Sequence, residues 1–247
     1  YFVGKDNIPF HAVIWPAMLS GYSGLNLPTN VPANQYILVK GEKASASKGI
    51  GKSLNEYLSE WNTDALRYCL ASILPEHADT EVTEEGMERR NNEELVATWG
   101  NLVNRVFSLV DTNFDTIPEM KNLTKNDQKL LDSSDKIFSE VGSLIENVEL
   151  KNALQASMRF VSSINVYLNE NEPWIVVKND KELAGTVLSV ALTAINTSAT
   201  VLSPFMPKTS KEVLEAIPSK TYNSWSSNDI DTGKKLKKIN PLFKKFD

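Results

Sequence analysis

Glycines, lysines and hydroxyl side chains are concentrated in one short stretch, Gly41–Gly51, where the sequence could hold a charged ligand. Its three glycines permit positive φ and let the backbone approach a ligand closely. Lys43 and Lys48 supply positive charge, and Ser45 and Ser47 supply hydroxyl groups. Because successive backbone N–H groups in such a turn bind anions, the stretch predicts a phosphate site. A surface loop without any ligand would have the same composition.

A second group of polar residues follows the N-terminal apolar run Tyr1–Val3. That run is typical of a buried strand, and Gly4 ends it with a turn. Asp6 would then lie just beyond the carboxyl end of the strand, where open α/β sheets bind their ligands. His11 falls in the first turn of the next predicted helix, near the same end. A histidine beside apolar residues is as often a structural group as a ligand contact.

A polar helix face is the third candidate. The apolar residues of a predicted helix over 83–110 recur every three or four positions, which defines a core face. At ~100° per residue, Asn101 and Arg105 lie ~40° apart on the opposite face. Farther along the chain, Trp174 follows a proline at a break between two predicted helices, where an indole can be exposed. The alternatives are a solvated face and a core indole.

The first elements that would position these residues are of α/β type. The first forty residues predict a strand, a helix over Ile8–Leu19, a loop and a second strand, Tyr36–Val39. Pro9 suits the first turn of that helix, whereas Pro16 is expected to kink or end it. One such crossover belongs to a larger parallel sheet, so the missing strands are expected upstream.

Helices predominate after the loop. Ser53 and Glu56 have the spacing of a capping box, which starts a short helix to about Glu60. Further amphipathic helices are predicted over 65–74, 83–110, 125–145, 149–168, 181–202 and 210–217. Several are long and are joined by short links, which predicts an antiparallel bundle. The predicted fold class is therefore mainly α.

Composition argues against several kinds of site. The net charge of -5 argues against a protein that binds nucleic acid over its whole surface. Cys69 is the only cysteine, so no intramolecular disulfide and no cysteine-cluster zinc site can form. We expect Cys69 to fill space in an apolar helix face. His11 and His77 are the only histidines, so a histidine-built metal site is not expected either.

The ends of the chain and its most apolar run carry less information. The chain begins without methionine or a signal peptide and is expected to be part of a longer protein or a processed form. The run Thr186–Met206 contains Asn196 and many hydroxyl side chains, which favours a buried bundle helix over a membrane span. After Pro218 the sequence predicts an irregular tail, whose basic part, Lys234–Lys245, is expected to be solvated.

Several of these stretches resemble one family. Tyr1–His11, with the motif DNIPFH, and Trp15–Leu19 resemble the second half of the catalytic domain of methionyl-tRNA synthetases in their archaeal or eukaryotic form. Gly41–Gly49 resembles the KMSKS loop of class I synthetases. The helix face with Asn101 and Arg105, and the later Glu172–Trp174, resemble the anticodon-reading site of the family. The resemblance covers the chain to about residue 217.

The resemblance implies roles for single residues. Gly4 and Asp6 would contact the adenosine ribose, Ile37 would receive adenine through its backbone, and His11 would line the methionine pocket. ATP binding in the loop would fall to Lys43, Ser45 and Ser47. Catalysis, by stabilisation of the pyrophosphate charge, would fall to Lys43 and Lys48. The CAU anticodon would be read by Asn101, Arg105 and Trp174.

The sequence departs from the family pattern in the loop. Residues 43–47 read Lys-Ala-Ser-Ala-Ser, so Ala44 replaces methionine and Ala46 replaces the second lysine. Lys48, two residues beyond Ala46, can substitute because lysine is a flexible point charge. No motif like His-Ile-Gly-His occurs in the chain. The chain by itself is therefore expected not to activate methionine.

The resemblance also implies a domain order and a set of partners. The domains would be a remnant of a Rossmann-type catalytic fold over 1–40, the loop with connecting helices over 41–82, a helical anticodon-binding bundle over 83–217 and a basic tail over 218–247. The substrates and partners would be ATP with Mg²⁺, methionine, tRNA(Met) and the upstream half of the same protein, with no membrane. Zinc is expected outside these residues, and the cytoplasm is the expected location.

Three functions fit these observations. The chain is interpreted first as part of a methionine–tRNA ligase. The second hypothesis is a tRNA-binding relative that has lost catalysis, as Ala46 suggests. The third is a plain helical interaction module. An upstream motif like His-Ile-Gly-His would separate the first two, and tRNA binding would separate both from the third.

Overall fold

The computed structural model of the chain describes residues 3–45, 48–219, 224–227 and 229–246, and most of them are helical. Tyr1 and Phe2, most of the predicted first strand, lie outside the described residues. Val3 is the remaining residue of that strand, and its carbonyl accepts a hydrogen bond from the Asn34 amide at 3.0 Å. Gly4 pairs with Asn34 in parallel orientation. The two ends of the predicted crossover therefore lie side by side.

The first helical segment continues past Pro16, so this proline does not end the helix. A 3-10 turn, Lys5–Asn7, leads into a π-helical segment, Phe10–Ile14, and then into helix α1, Trp15–Ser20. The wider π-turn brings the Trp15 amide to the Phe10 carbonyl. Pro16 then falls in the first turn of α1, directly after the π-helical segment.

A small sheet follows, with strand order β2–β1–β3. Strand β1, Ile37–Val39, is the predicted second strand and pairs antiparallel with β2, Glu42–Lys43. It also pairs in parallel with β3, Thr80–Glu81, so that Ile37 lies opposite Thr80. The sequence analysis missed β2 and β3, because two-residue strands carry no periodic pattern.

Two short helices connect the sheet to the bundle. Helix α2, Leu54–Glu60, has the predicted capping box, in which Ser53 and Glu56 bond to each other's backbone amides. Helix α3, Thr63–Ser72, begins two residues before the prediction, because the Asn62 side chain caps it.

The bundle begins with one long helical rod. Helix α4, Glu84–Arg90, continues through a π-helical segment, Asn91–Gly100, into helix α5, Asn101–Asn113. The rod starts where it was predicted to start, and Thr83 caps it through a hydrogen bond from the Gly86 amide. The predicted core face is buried: Leu95, Trp99, Leu102, Val103, Val106 and Val110.

The remaining helices pack beside this rod. They are α6, Lys125–Glu146; α7, Leu150–Asn171; α8, Pro173–Val176; α9, Lys181–Leu202; and α10, Pro207–Ala216. Helices α6, α7 and α9 pack against one another, and α10 and α8 pack on α9. The bounds of α9 are those predicted from the sequence.

Helix α9 is the centre of the bundle. Within the described part of the chain, it is the helix long and apolar enough to cross a membrane. Nearly all of its side chains are buried by neighbouring helices. The predicted buried bundle helix is therefore confirmed.

The lysines of the C-terminal tail are exposed, as predicted, but the tail also docks on the bundle through apolar side chains, which was not predicted. The Lys234 carbonyl accepts a hydrogen bond from the Ile117 amide at 2.8 Å. Farther along, Phe243 is buried, and the ring of Phe246 packs on Trp61 with centroids 4.3 Å apart. The apolar side chains between the lysines reach the core while the lysine ammonium groups stay in water. The tail thus returns from the bundle to the helices that follow the loop.

Candidate functional site

Three of the residues predicted to bind a nucleotide meet around Tyr36. Lys43 extends from β2, and its Nζ lies 3.1 Å from Asp6 Oδ2 in the N-terminal 3-10 turn. The same ammonium lies over the Tyr36 ring, 3.7 Å from its centroid. Gly4 precedes this turn, and a Cβ there would lie 3.3 Å from Asp6 Oδ1, a tight contact. Glycine therefore keeps space around the carboxylate.

A second lysine–aspartate pair adjoins the first. Lys5 Nζ lies 2.7 Å from Asp79 Oδ1 and 4.2 Å from the centroid of the Tyr36 ring. Asp79 Oδ1 also accepts a hydrogen bond from the Tyr36 amide at 2.9 Å. The sequence analysis missed Lys5, Tyr36 and Asp79, because only the pairing of β1 with β3 brings Asp79 beside the loop. These three residues lie far apart in the sequence, so no local motif indicates that they meet.

The charges of this cluster reinforce one another. Hydrogen bonds with Tyr36, and then with Lys43, hold the pKa of Asp6 below its usual value. The hydrogen bond from Lys5 does the same for the pKa of Asp79. The Asp6 carboxylate raises the pKa of Lys43 in turn. Both carboxylates are therefore ionised and Lys43 is charged near neutral pH. An ionised carboxylate can accept hydrogen bonds from a ribose diol, and an ammonium can bind phosphate.

The tip of the loop holds the second candidate cation. Ser45 and Ile50 pair across the loop, with N–O distances of 3.2 and 3.0 Å. Lys48 lies at the exposed tip, where its amide donates to the Ser45 carbonyl at 3.2 Å. Gly49 has a φ of 67°, as the loop prediction required. Ser47 lies outside the described residues. The structure thus places Lys48 on the same hairpin as Lys43, beyond the cluster around Tyr36.

The predicted adenine and methionine contacts lie on either side of that cluster. The Ile37 carbonyl accepts a hydrogen bond from the Ala44 amide at 3.0 Å, so part of its backbone is engaged in the sheet. His11 is half-buried, and its Nδ1 lies 3.0 Å from the Asn7 carbonyl oxygen. Its ring meets Trp15 edge to face, with centroids 6.4 Å apart. The roles of Ile37 and His11 stay predictions.

The second candidate site lies on the helical bundle, where α5 meets α8. The Arg105 guanidinium lies over the Trp174 indole, 4.4 Å from the ring centroid. Its Nη2 donates to Asn169 Oδ1 at 3.1 Å. Asn101 is exposed one turn earlier on the same helix. The structure therefore brings together the residues that the sequence grouped from separate helices, and it adds Asn169.

A sharp backbone turn aims the indole at Arg105. Glu172 has a φ of 39° and ends α7, and Pro173 begins α8 immediately afterwards. The left-handed conformation of Glu172 changes the direction of the chain between α7 and α8. Trp174 is consequently half-buried instead of exposed, which corrects the prediction.

Arg105 itself is also less exposed than predicted. Its Nε is buried and has no hydrogen-bond partner among the described residues, and burial lowers the pKa of the guanidinium. Arginine stacks on aromatic faces and is weakly hydrated, which explains why it covers the indole. A planar cation, an indole and an exposed amide are the groups with which proteins bind unpaired bases.

The described residues contain no group of three or more histidine, cysteine, aspartate or glutamate side chains that could hold a metal ion. The carboxylates of the cluster around Tyr36, Asp6 and Asp79, are each paired with a lysine.

Family models match both parts of the chain. A model described as tRNA synthetases class I (M) matches residues 1–107. A second model, described as the anticodon binding domain of methionyl tRNA ligase, matches residues 117–246 and includes the C-terminal tail.

Curated relatives of the chain are named methionine–tRNA ligase. Methionine–tRNA ligase of Chloroflexus aurantiacus is 37% identical over an alignment that covers 100% of this chain and 49% of the relative. The enzyme of Thermobifida fusca is 43% identical over 88% of this chain and 38% of its own length. The enzyme of Thermococcus kodakarensis is 34% identical over 99% of this chain. The chain spans about half the length of the first of these relatives, and less of the others.

Solved structures share the fold. Mycobacterium tuberculosis methionyl-tRNA synthetase in complex with methionyl-adenylate matches with a TM-score of 0.88 and 26% identity, over 98% of this chain and 49% of that one. The predicted fold class, a remnant of a Rossmann-type fold followed by a helical anticodon-binding domain, is thereby confirmed. With family models over both parts of its length and relatives that align with all of it, the chain belongs to the methionyl-tRNA ligase family.

Proposed function

We propose that the protein containing this chain is a methionine–tRNA ligase that uses ATP. In the first step, a methionine carboxylate oxygen attacks the α-phosphorus of ATP and pyrophosphate leaves. In the second step, a terminal ribose hydroxyl of tRNA(Met) attacks the acyl carbon and AMP leaves. The observation that carries this proposal is the cluster of Asp6, Lys43 and Tyr36, because it joins a ribose acceptor to a phosphate-binding cation in one place.

Each residue of the cluster has a role in the first step. Asp6 accepts hydrogen bonds from the ribose, and Gly4 leaves the space for them. Lys43 and Lys48 stabilise the charge that develops on pyrophosphate, and Ser45 and Ser47 bind the phosphates beside them. A nucleotide that uses both Asp6 and Lys43 must separate their ion pair. Because this pair is exposed, separating it costs little.

The adenine and methionine roles rest on neighbouring positions. Ile37 receives adenine through its backbone, and His11 lines the methionine pocket. Mg²⁺ enters with ATP and is held by its phosphates and by water, which is the usual arrangement for this ion. No residue of this chain is assigned as a magnesium ligand. The cytoplasm is the proposed location.

The bundle reads the anticodon. One unstacked cytosine of CAU stacks against the face formed by Trp174 and Arg105, and Asn101 reaches its edge. The types of these side chains suit the reading of an unpaired base. An indole stacks on any base, whereas an amide and a guanidinium distinguish base edges by hydrogen bonds.

The N-terminal helix supplies the contact to the rest of the catalytic domain. Phe10, Val13 and Met18 are 57%, 64% and 67% exposed, which is unusual for large apolar side chains on one helical segment. We propose that the half of the relatives that lies outside this chain packs on this face. The methionine pocket would form between the two halves.

ATP–pyrophosphate exchange tests the activity. The full-length protein should catalyse methionine-dependent exchange, and this 247-residue chain alone should not. Exchange by the chain alone would contradict the division of the site between two halves. No exchange in a folded full-length protein that still binds tRNA would favour the second function, a tRNA-binding relative without catalysis. The observation that favours that alternative is Ala46, which replaces a lysine of the family pattern.

A further inference from the structure

Two side chains of α3 bind the corner between α9 and α10. The first is Asp64, which is fully buried. Its Oδ2 accepts hydrogen bonds from the Thr209 amide at 2.7 Å and from the Thr209 hydroxyl at 2.9 Å. Thr209 lies in the first turn of α10, and the N-cap residue of α10, Met206, makes no side-chain hydrogen bond to this turn. Asp64 therefore gives this helix the acceptor and the negative charge that a helix N-terminus favours.

The second side chain is Arg67, one turn farther along α3. Its Nε donates to the Phe205 carbonyl at 2.9 Å, and its Nη2 donates to the Pro204 carbonyl at 2.8 Å. These carbonyls directly follow the last turn of α9, so the cation lies at a helix C-terminus, where positive charge is favoured. Residues three apart share one face of a helix. One face of α3 therefore presents the correct charge to each of the two helix ends.

Helix α3 is itself held close to the lysine loop. Lys52, at the exit of the loop, pairs with Glu60 at 2.9 Å and with Glu84 at 3.1 Å. Glu60 ends α2, and Glu84 begins α4. The loop, α2 and the start of the long rod are therefore linked through charged contacts, and α3 packs against both α2 and α4.

Helix α9 connects the same corner to the anticodon site. Its C-terminus lies at Asp64 and Arg67, and its N-terminus lies near α8, which carries Trp174 and packs on α9. A 22-residue helix is about 33 Å long, so a tilt of about 5° at one end moves the other end by about 3 Å. A displacement of that size exceeds the narrow distance range of a hydrogen bond. Small changes at the corner would therefore misplace the base-reading side chains.

We propose that Asp64 and Arg67 are positioning residues that fix the anticodon-reading surface relative to the lysine loop. We propose no contact of these two residues with ATP, methionine or tRNA. They act by holding α9 at a set angle on α3. This inference rests on the proposed function. If the protein charges tRNA, the contacts of Asp64 and Arg67 let the anticodon be bound while the lysine loop keeps its active geometry. Loss of the contacts should leave methionine activation intact and impair charging of tRNA.

The test uses the full-length protein with three substitutions at the corner and one control. Arg67→Met removes both hydrogen bonds but keeps an unbranched apolar side chain, Arg67→Lys keeps the charge but not the planar guanidinium with its two donors, and Asp64→Asn keeps an acceptor for Thr209. Lys211→Met removes an exposed cation from α10 and is the matched control. For each variant, we would measure ATP–pyrophosphate exchange, the kcat and KM of aminoacylation, and the melting temperature. The tRNAs are CAU tRNA and the same tRNA with one anticodon base changed.

We expect Arg67→Met to keep the rate of ATP–pyrophosphate exchange within about twofold of wild type. The same substitution should lower the kcat of aminoacylation for CAU tRNA by about tenfold. It should also reduce the preference of the enzyme for CAU tRNA over the altered tRNA. Arg67→Lys should recover part of the loss, and Lys211→Met should behave as wild type. Unchanged charging in a folded Arg67→Met protein would overturn the proposal. A parallel fall of exchange, charging and folded fraction in all variants, including Asp64→Asn, would also overturn it, because that pattern indicates stabilisation alone.

A distance measurement separates this proposal from the proposed function. Spin labels at Asn55→Cys on α2 and Lys178→Cys report on the lysine-loop side and on the anticodon side, and the native Cys69 is buried. If wild-type protein neither activates methionine nor binds tRNA, the proposed function fails. The positioning role of Asp64 and Arg67 is then tested by the distance between the two labels alone. A distribution that broadens or shifts in Arg67→Met supports positioning. An unchanged distribution overturns it.

Discussion

The guanidinium of Arg105 lies over the indole of Trp174, with 4.4 Å between the guanidinium carbon and the ring centroid. One face of the indole is therefore covered by a side chain of the protein. An incoming base must stack on the other face or displace the guanidinium. Because Asn169 holds the guanidinium through a hydrogen bond of 3.1 Å, we expect the arginine to remain in place and to extend the stacking surface.

Arg105→Met should uncover the indole. A cation over an indole is worth about 0.5–2 kcal/mol, so the fold should survive its removal. We expect greater quenching of Trp174 fluorescence by acrylamide, measured in a protein in which the other tryptophans are replaced by phenylalanine, and weaker binding of CAU tRNA. Arg105→Lys should give an intermediate result, since lysine keeps the charge but not the plane. Unchanged quenching would show that the guanidinium does not shield the ring in solution.

Cys69 should be unreactive in the folded protein. Burial raises the pKa of its thiol from 9.0 to about 12. The neutral thiol therefore stabilises the fold below pH 9, and this contribution is lost as the pH rises from 9 towards 12, because the unfolded chain ionises first. At pH 8, Ellman's reagent should detect no thiol in the native chain and one thiol per chain in guanidinium. Rapid reaction of the native chain would contradict the burial.

Phe243 should anchor the C-terminal tail. It is buried and lies against the long rod, where a Cβ on Gly100 would be 3.7 Å from its ring. Phe243→Ala should lower the free energy of unfolding by about 3 kcal/mol. The matched control is the exposed neighbour, Lys244→Ala, which should change it by less than about 0.5 kcal/mol. The comparison is a urea titration of each chain. Equal midpoints for wild type and Phe243→Ala would show that the tail is not docked.

Local signals in the sequence were enough to predict most of the helices. Ser53 caps the helix that it was predicted to cap, and α9 has its predicted bounds, because caps and apolar periodicity are encoded within a few residues. The strands β2 and β3 were missed because their pairing depends on residues far apart in the chain. The docked tail was missed for the same reason: its partners lie on the rod and on α2 and α3.

The candidate sites were predictable by residue type but not by contact. The family resemblance assigned Gly4, Asp6 and Lys43 to one nucleotide site. The ion pair between Asp6 and Lys43, and the contacts of Lys5 and Lys43 with the Tyr36 ring, depend on how the sheet is paired. Trp174 was predicted to be exposed because it follows a helix break. The left-handed turn at Glu172 instead directs the indole onto Arg105, and sequence periodicity carries no information about such a turn.

The loop lysines should both contribute to methionine activation in the full-length protein. Lys43→Ala and Lys48→Ala should each lower the rate of adenylation by roughly tenfold to a thousandfold, as expected for one electrostatic donor, and should leave the KM for methionine nearly unchanged. Lys129→Ala, an exposed lysine on α6, is the control. Ala46→Lys should restore part of the loss in Lys48→Ala. A wild-type rate in Lys48→Ala would show that Lys48 does not replace the lysine absent at position 46.

The binding of tRNA to this chain tests the central claim most directly, because the residues proposed to read the anticodon all lie within the described part of the chain. The measurement is the affinity, at one fixed salt concentration, for tRNA with the CAU anticodon and for the same tRNA with its cytosine replaced. Trp174→Ala should weaken binding of CAU tRNA by roughly 1–3 kcal/mol, and Trp174→Phe by less. Asn101→Ala should weaken binding of CAU tRNA more than binding of the altered tRNA. Equal affinities for both tRNAs in the wild-type chain, or unchanged affinities in folded Trp174→Ala and Asn101→Ala chains, would contradict the account.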